Sequence, residues 1–303
     1  IDKYSMRSPS FMSYFSLSYE ATRAWPEFER RLIRAAGGNL PKGCRSCQIF
    51  HGGCFGRGTY VVNNTASDGL DDDNFNAIVT ALREFNEGHE EVDPRSIPHY
   101  LPENRVRALR AVKIHNEGWL NPKLVLNKLE SLLAENERYQ RINDSAEKIA
   151  ITSGGSVVGV DCGTGSRVEA DRYVVAAGYD SSALLDRSGL ADIIGQRVFS
   201  GVGVSIEIQS SVPFQNCIRT PNRGGACGIY TVPYFWGPSE PPGRVLIGAS
   251  SYVSTEPKFF GRSISIAHLL DSATREINQE FYSSEVVSIN VGNRPTTFDQ
   301  YPL

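Results

Sequence analysis

The stretch Tyr173-Val174-Val175-Ala176-Ala177-Gly178 constrains the fold more than any other part of the chain. A short apolar run of this kind reads as a strand buried on both faces, which is the habit of parallel sheets covered by helices. It closes in small residues and a glycine, which let a backbone come close to a ligand. Ser181, Ser182 and Leu184-Leu185 then begin a helix or turn. A strand, a small-residue end and a polar turn set backbone N–H groups at the carboxyl edge of a parallel sheet, where α/β folds hold nucleotides. The same pattern also ends ordinary α/β strands, so it points to a fold class before it points to a ligand.

Composition narrows the class further. The chain has 303 residues, with 31 Lys+Arg against 34 Asp+Glu and a formal charge of −3. Proteins that bind nucleic acid carry a basic footprint, and this one does not. With 40% hydrophobic and 21% charged residues, the chain suits a globular protein and not a disordered one. No apolar stretch is long enough for a membrane-spanning helix, and the first residues do not read as a signal peptide. A soluble, cytoplasmic protein is expected. The 28 glycines and 16 prolines argue for a turn-rich fold of two domains over a helical bundle.

Periodicity sketches the elements. Phe15, Tyr19, Trp25, Phe28 and Leu32 recur at helical spacing within 11–36, and Gly37-Gly38 ends that helix. Alternation and glycines over 47–62 suggest strand with turns. Asp72 or Asp73 caps a helix over 75–87. Three prolines make 93–105 irregular. Asn121-Pro122 opens a further helix, with Leu124, Leu126, Leu129, Leu132 and Leu133 as its buried stripe. Residues 148–152 and 156–162 form a hairpin around Gly154-Gly155. Strands over 201–208, 228–232 and 244–249 suggest a mixed or antiparallel sheet. A helix over 264–281 and a strand over 285–290 follow.

Metal chemistry is not expected. Cys44, Cys47, His51 and Cys54 have ligand types that zinc accepts, but a Gly-rich loop with free thiols or a local disulfide explains them better. Asp68, Asp71, Asp72 and Asp73 lack the spacing and terminal Glu of a calcium loop and read as a solvated turn.

In order along the chain, several segments together resemble the D-amino-acid oxidase, glycine oxidase and sarcosine oxidase superfamily of FAD enzymes. Asp171-Arg172-Tyr173-Val174-Val175-Ala176-Ala177-Gly178-Tyr179-Asp180-Ser181 is similar to its second flavin motif. Glu117-Gly118-Trp119-Leu120-Asn121-Pro122 is similar to its Gly-x-x-(Asp/Asn)-Pro helix entry. Tyr230-Thr231-Val232-Pro233 and Leu246-Ile247-Gly248-Ala249 resemble its substrate-domain strands. Gly292-Asn293-Arg294-Pro295 through Asp299 and Pro302 resembles its Gly-x-Arg-Pro segment.

The resemblance implies an α/β fold. A Rossmann-like FAD-binding domain (1–36, 117–197 and 285–303) would carry an inserted mixed or antiparallel substrate domain (37–116 and 198–284). It implies that Asp2, with Lys3 beside it, ends a second strand and holds the adenosine ribose, a role that suits a carboxylate facing vicinal hydroxyls. No Gly-x-Gly-x-x-Gly occurs in the sequence, and Gly201-Val202-Gly203 does not supply one. About 30 residues of a βαβ unit are therefore expected before Ile1, and a Gly-rich strand and helix after Leu303, making this a piece of a longer flavoprotein.

By the same resemblance, the chemistry is oxidation of a C–N bond of an amino acid or related amine. A hydride passes to the flavin, the imine hydrolyses, and oxygen reoxidises the cofactor. Arg294 would grip the substrate carboxylate with its planar fork. Tyr230 would assist through its hydroxyl, and Tyr234, with Phe235 and Trp236, would wall the side chain. Ala146, Ala176, Ala177 and Gly178 would meet the dinucleotide through backbone. No cysteine follows Cys227, so FAD is expected to be non-covalent. A dehydrogenase passing electrons to a quinone or carrier protein, and a non-catalytic binding module, are the competing readings.

Overall fold

A computed structural model describes residues 9–35, 55–64, 69–120, 122–222, 228–233 and 243–298. The chain divides into two compact units. Unit 1 comprises Ile1–Asn136, Val204–Ser250 and Gly261–Asn290, and unit 2 comprises Glu137–Gly203, Ser251–Phe260 and Val291–Leu303. The elements are α1 (Pro9–Ala35), β1 (Phe55–Asn64), α2 (Gly69–Glu84), β2 (His89–Val92), β3 (Ala108–Leu120), α3 (Pro122–Ala134), β4 (Ala146–Ile151), β5 (Val157–Cys162), β6 (Arg167–Val168), α4 (Ser181–Arg187), β7 (Phe199–Gln209), β8 (Cys217–Arg219), β9 (Tyr230–Pro233), β10 (Arg244–Ser254), α5 (Ser263–Glu276) and β11 (Glu285–Thr296).

One sheet runs in the order β11-β7-β10-β9-β8-β1-β3-β2 and a second in the order β4-β5-β6. The large sheet is mixed, as expected: β1 pairs antiparallel with β3 and parallel with β8. β7, β10 and β11 each contribute residues to both units.

In unit 1 the β-branched pair Val61 and Val62 is fully buried on β1. Phe75, Ile78, Val79 and Leu82 recur one helical turn apart on α2 and close over Val61, Val112 and Ile114. Each such buried side chain contributes roughly 1.5–3 kcal/mol over an exposed one. α2 begins at Gly69, earlier than its apolar period suggests, and ends at Glu84. Asp71 and Asp72 therefore lie inside its first turn, where carboxylates offset the helix dipole, and do not cap it from outside. α3 starts at Pro122 as read, but its buried face is different. Val125 is buried, while Leu126 and Leu133 are exposed. α5 stops at Glu276. Asn278 then caps a separate 3-10 turn, Gln279–Ser283, by accepting from the Glu280 N–H. Phe28 on α1 is exposed, whereas Tyr19 donates its hydroxyl to the Phe85 carbonyl at 2.9 Å.

In unit 2 the β4–β5 hairpin turns through Gly155 at φ +82°, a conformation that favours glycine. Leu184 and Leu185 of α4 pack on Ile149 of β4. Ser188 joins the two elements, its Oγ accepting from the Ile149 N–H at 2.8 Å. Asp144 accepts from Thr164 Oγ1, from the Thr164 N–H at 3.2 Å and from the Ser145 N–H at 2.8 Å. Those bonds, led by the Thr164 hydroxyl, hold its carboxyl below the ordinary aspartate range.

The segment 173–176 departs from expectation. It forms no strand, and Val174 is 90% exposed. A doubly buried strand needs a neighbour on each edge for its N–H and C=O groups, and neither described sheet includes this stretch. The Tyr173 hydroxyl instead accepts from the Ala170 N–H at 2.8 Å.

Candidate functional site

Arg294 lies within β11, which continues through the Gly-Asn-Arg-Pro segment and does not stop at Asn290. Side chains alternate along a strand, and two faces of β11 serve two purposes. Asn293 is a fastener. Its Nδ2 donates to the Lys258 carbonyl at 2.8 Å, and its Oδ1 accepts from the Lys258 N–H at 2.8 Å and the Ser200 hydroxyl at 2.6 Å. Arg294 is next in line and exposed. Its Nη1 donates to Ser251 Oγ at 3.4 Å, its one hydrogen bond from the guanidinium among the described residues. No carboxylate pairs with it among them. Asp299, a conceivable structural partner, lies outside the described residues.

The guanidinium rests on a glycine. A Cβ built on Gly203 of the adjacent strand β7 would stand 2.5 Å from Nη2, 2.8 Å from Cζ and 2.9 Å from Nη1 of Arg294. Two residues back, a Cβ on Gly201 would collide with Thr296 Oγ1. The Gly201-Val202-Gly203 repeat, uninformative as a phosphate loop, is thus the period-two floor under Arg294 and Thr296. That alternation was the available signal for it.

In unit 1, Tyr230 stands half-buried on β9, in register with Gly248 of β10. A Cβ on Gly248 would overlap the tyrosine ring and hydroxyl. The two candidate substrate residues, each in its own unit, share one device: a polar side chain laid on a glycine of the neighbouring strand. Glu117, from the Glu-Gly-Trp segment, holds Arg219 of β8 by bonds of 3.0 and 3.3 Å. A cavity of about 560 Å³ in unit 1 lies beside Tyr19, Trp25, Glu117 and Trp119, and none of the expected site residues lines it.

Of the expected dinucleotide contacts, Ala146 is exposed at the start of β4, paired with Cys162. Ala176 and Ala177 are exposed, and Gly178 opens a 3-10 turn that leads into α4. β4, which begins at Ala146, and α4, which follows the Gly178 turn, are joined by Arg187 Nε donating to the Glu147 carbonyl at 2.9 Å. Asp2, Lys3 and Tyr234 lie outside the described residues, as does the Cys44, Cys47, His51 and Cys54 cluster. Among the described residues, no group of His, Cys, Asp and Glu could hold a metal ion, and no helix is long and apolar enough to cross a membrane.

The family model described as FAD dependent oxidoreductase (DAO) matches residues 7–303. The chain belongs to this family. Glycine oxidase from Geobacillus kaustophilus is similar in structure, with a TM-score of 0.71 and 20% identity over 95% of this chain and 68% of that one. Iminodiacetate oxidase from Chelativorans sp. BNC1 aligns with a TM-score of 0.69 and 17% identity over 94% of this chain and 69% of that one. L-proline dehydrogenase from P. horikoshii aligns with a TM-score of 0.68 and 12% identity over 93% and 68%. At these identities the likeness is one of fold. No curated protein matches the sequence.

The described residues leave one of the strips expected to meet this family's cofactor uncovered. Ala176 and Ala177 are exposed, and a Cβ on Gly178, at φ +60°, would meet nothing within 4 Å. Gly178 is thus left open on the side where a Cβ would stand.

Proposed function

We propose that the protein oxidises the C–N bond of an amino acid or closely related carboxylated amine, with non-covalent FAD taking the electrons and dioxygen as final acceptor. The observation that carries this reading is Arg294: an exposed guanidinium, backed by glycine and bonded only to a serine hydroxyl among the described residues. Such a cation suits a carboxylate, which it can grip with parallel hydrogen bonds. The substrates named by the similar structures, glycine, iminodiacetate and proline, all carry a carboxylate beside a carbon bonded to nitrogen.

In this reading Arg294 takes the carboxylate and fixes the substrate's orientation, most of what the protein contributes when a cofactor does the electron chemistry. Tyr230 and Tyr234 are assigned to substrate binding on the family resemblance. Bound FAD supplies a two-electron acceptor for the hydrogen leaving the carbon beside the amine. Asp2, with Lys3 next to it, holds the adenosine ribose. Ala146 meets the adenine, and Ala176, Ala177 and Gly178 offer backbone to the dinucleotide. An amine that arrives neutral requires no side-chain acid or base. The FAD-binding part is assigned to 1–36, 117–197 and 285–303, and the substrate part to 37–116 and 198–284. This functional division is not the division into compact units.

The test uses the full-length protein loaded with FAD and mixed without air with glycine, iminodiacetate or proline. Bleaching of the flavin band by at least one of them is expected, with peroxide on admitting air. Absence of bleaching with every amino carboxylate would defeat the proposal. Bleaching without peroxide would instead favour a dehydrogenase that passes electrons to a carrier, a reading supported by the likeness to L-proline dehydrogenase.

A further inference from the structure

We propose that Gly203 is a positioning residue that sets how Arg294 is presented, and so makes the site selective for a carboxylate; this rests on the assignment of Arg294 above. The three guanidinium atoms nearest Gly203 lie at 2.5, 2.8 and 2.9 Å from the position a Cβ would take. The nearest atoms are both terminal nitrogens and Cζ, so the glycine lies obliquely against the Nη1–Nη2 end of the guanidinium. Ser251 Oγ takes one proton of Nη1 at 3.4 Å and fixes the rotation about the guanidinium axis. The backbone beneath is held as well, because Asn293 ties β11 to Lys258 and to Ser200, three residues before Gly203 on β7. All of these residues belong to unit 2.

What this leaves outward is the remaining edge of the fork, which offers paired N–H groups to a planar anion. A methyl at residue 203 cannot share the space with the guanidinium. Either the arginine lifts away or the strands part, and in both cases the fork loses its fixed aim. The cost falls on recognition of the anion and not on the flavin.

The experiment compares wild type, Gly203→Ala, Ser251→Ala, Gly201→Ala and Arg294→Ala as full-length holoenzymes. The probe is acetate, with acetamide as its uncharged counterpart. Binding is read by calorimetry and by the shift of the flavin visible band. Gly203→Ala should weaken acetate at least roughly tenfold, the scale of one charge-assisted hydrogen bond, without changing acetamide. Ser251→Ala should weaken acetate by about threefold, less than a full charged bond. Gly201→Ala crowds Thr296 and meets the Arg294 carbonyl and Cβ, at 3.3 and 3.5 Å, but none of the guanidinium atoms among its nearest neighbours, and should change acetate by less than about twofold, the range of a minor substitution. With a carboxylated substrate, Gly203→Ala should raise KM and leave kcat within a few-fold.

If Arg294→Ala loses acetate while Gly203→Ala and Ser251→Ala retain it, the positioning role is wrong and the carboxylate assignment stands. If Arg294→Ala also retains acetate, the assignment itself fails. Equal losses in Gly201→Ala and Gly203→Ala would mean general strand crowding and would overturn the proposal. Should Gly203→Ala not fold, Ser251→Ala decides: an unchanged acetate affinity rejects the fixed guanidinium.

Discussion

Arg294 has one hydrogen-bond partner for its guanidinium among the described residues and no carboxylate among them. In the proposed site its charge is spent on the substrate. Arg294→Ala should therefore lower kcat/KM for carboxylated substrates by about 1.5–3 kcal/mol, roughly 10- to 100-fold, the scale of hydrogen bonds to a charged group. Amines without a carboxylate should lose much less. Steady-state kinetics on a matched pair of substrates checks this, and equal losses on both would remove Arg294 from the carboxylate site. The arginine was legible in the sequence through its Gly-x-Arg-Pro setting. Its seat on Gly203 was not, because a glycine opposite a long side chain is a fact of strand register between residues far apart in the chain.

At the scale of elements, a buried polar group ties three strands in unit 1. Glu207 of β7 is 3% exposed. Its carboxylate meets Arg244 of β10 at 3.5 Å and accepts from Asn290 of β11 at 3.1 Å. Removing one partner of a buried ion pair is destabilising, so Arg244→Ala should destabilise the fold by about 3 kcal/mol. A urea midpoint unchanged from wild type would contradict that. The β4–β5 hairpin of unit 2 gives a prediction in pH. The Asp144 carboxyl is held low by Thr164 and neighbouring N–H groups, so its stabilising bonds are complete above the ordinary aspartate value of about 3.9 and lost as pH falls through the lower folded value. Its carboxyl resonance should titrate below that value, and Thr164→Ala should raise the midpoint. A wild-type midpoint at or above about 3.9 would show that the bonds do not form in solution.

Element identities along much of the chain followed from periodicity, including α1, the β4–β5 hairpin and strands β1, β7, β9, β10 and β11 of the mixed sheet, whereas β2, β3 and β8 did not. The failures have physical causes. The leucines of α3 recur at helical spacing, yet Val125 and not Leu126 or Leu133 is buried, because which face is covered depends on what packs there. The long strand β3 escaped notice because its apolar residues do not alternate cleanly.

For the whole molecule, the family membership sets the cofactor as FAD, and the proposal makes its attachment non-covalent. No cysteine follows Cys227. Cys162 and Cys217 are buried free thiols. Acid precipitation of the full-length holoenzyme should leave the flavin in the supernatant and a colourless pellet. A yellow pellet would show a covalent bond and require another attachment residue. The chain spans 68% of the similar Geobacillus glycine oxidase.

The sequence by itself determined the family, the FAD chemistry class and the identity of Arg294 as the candidate anion binder, because short motifs preserve local backbone and side-chain chemistry. It also suggested a strand at 173–176 from an apolar run alone. Only the tertiary structure decided that this run lies unpaired among the described residues. It alone showed that Gly201 and Gly203 form a floor beneath β11 and that Glu207 is buried against Arg244. Those outcomes depend on which strands become neighbours. Pairing is a long-range property that local periodicity does not encode.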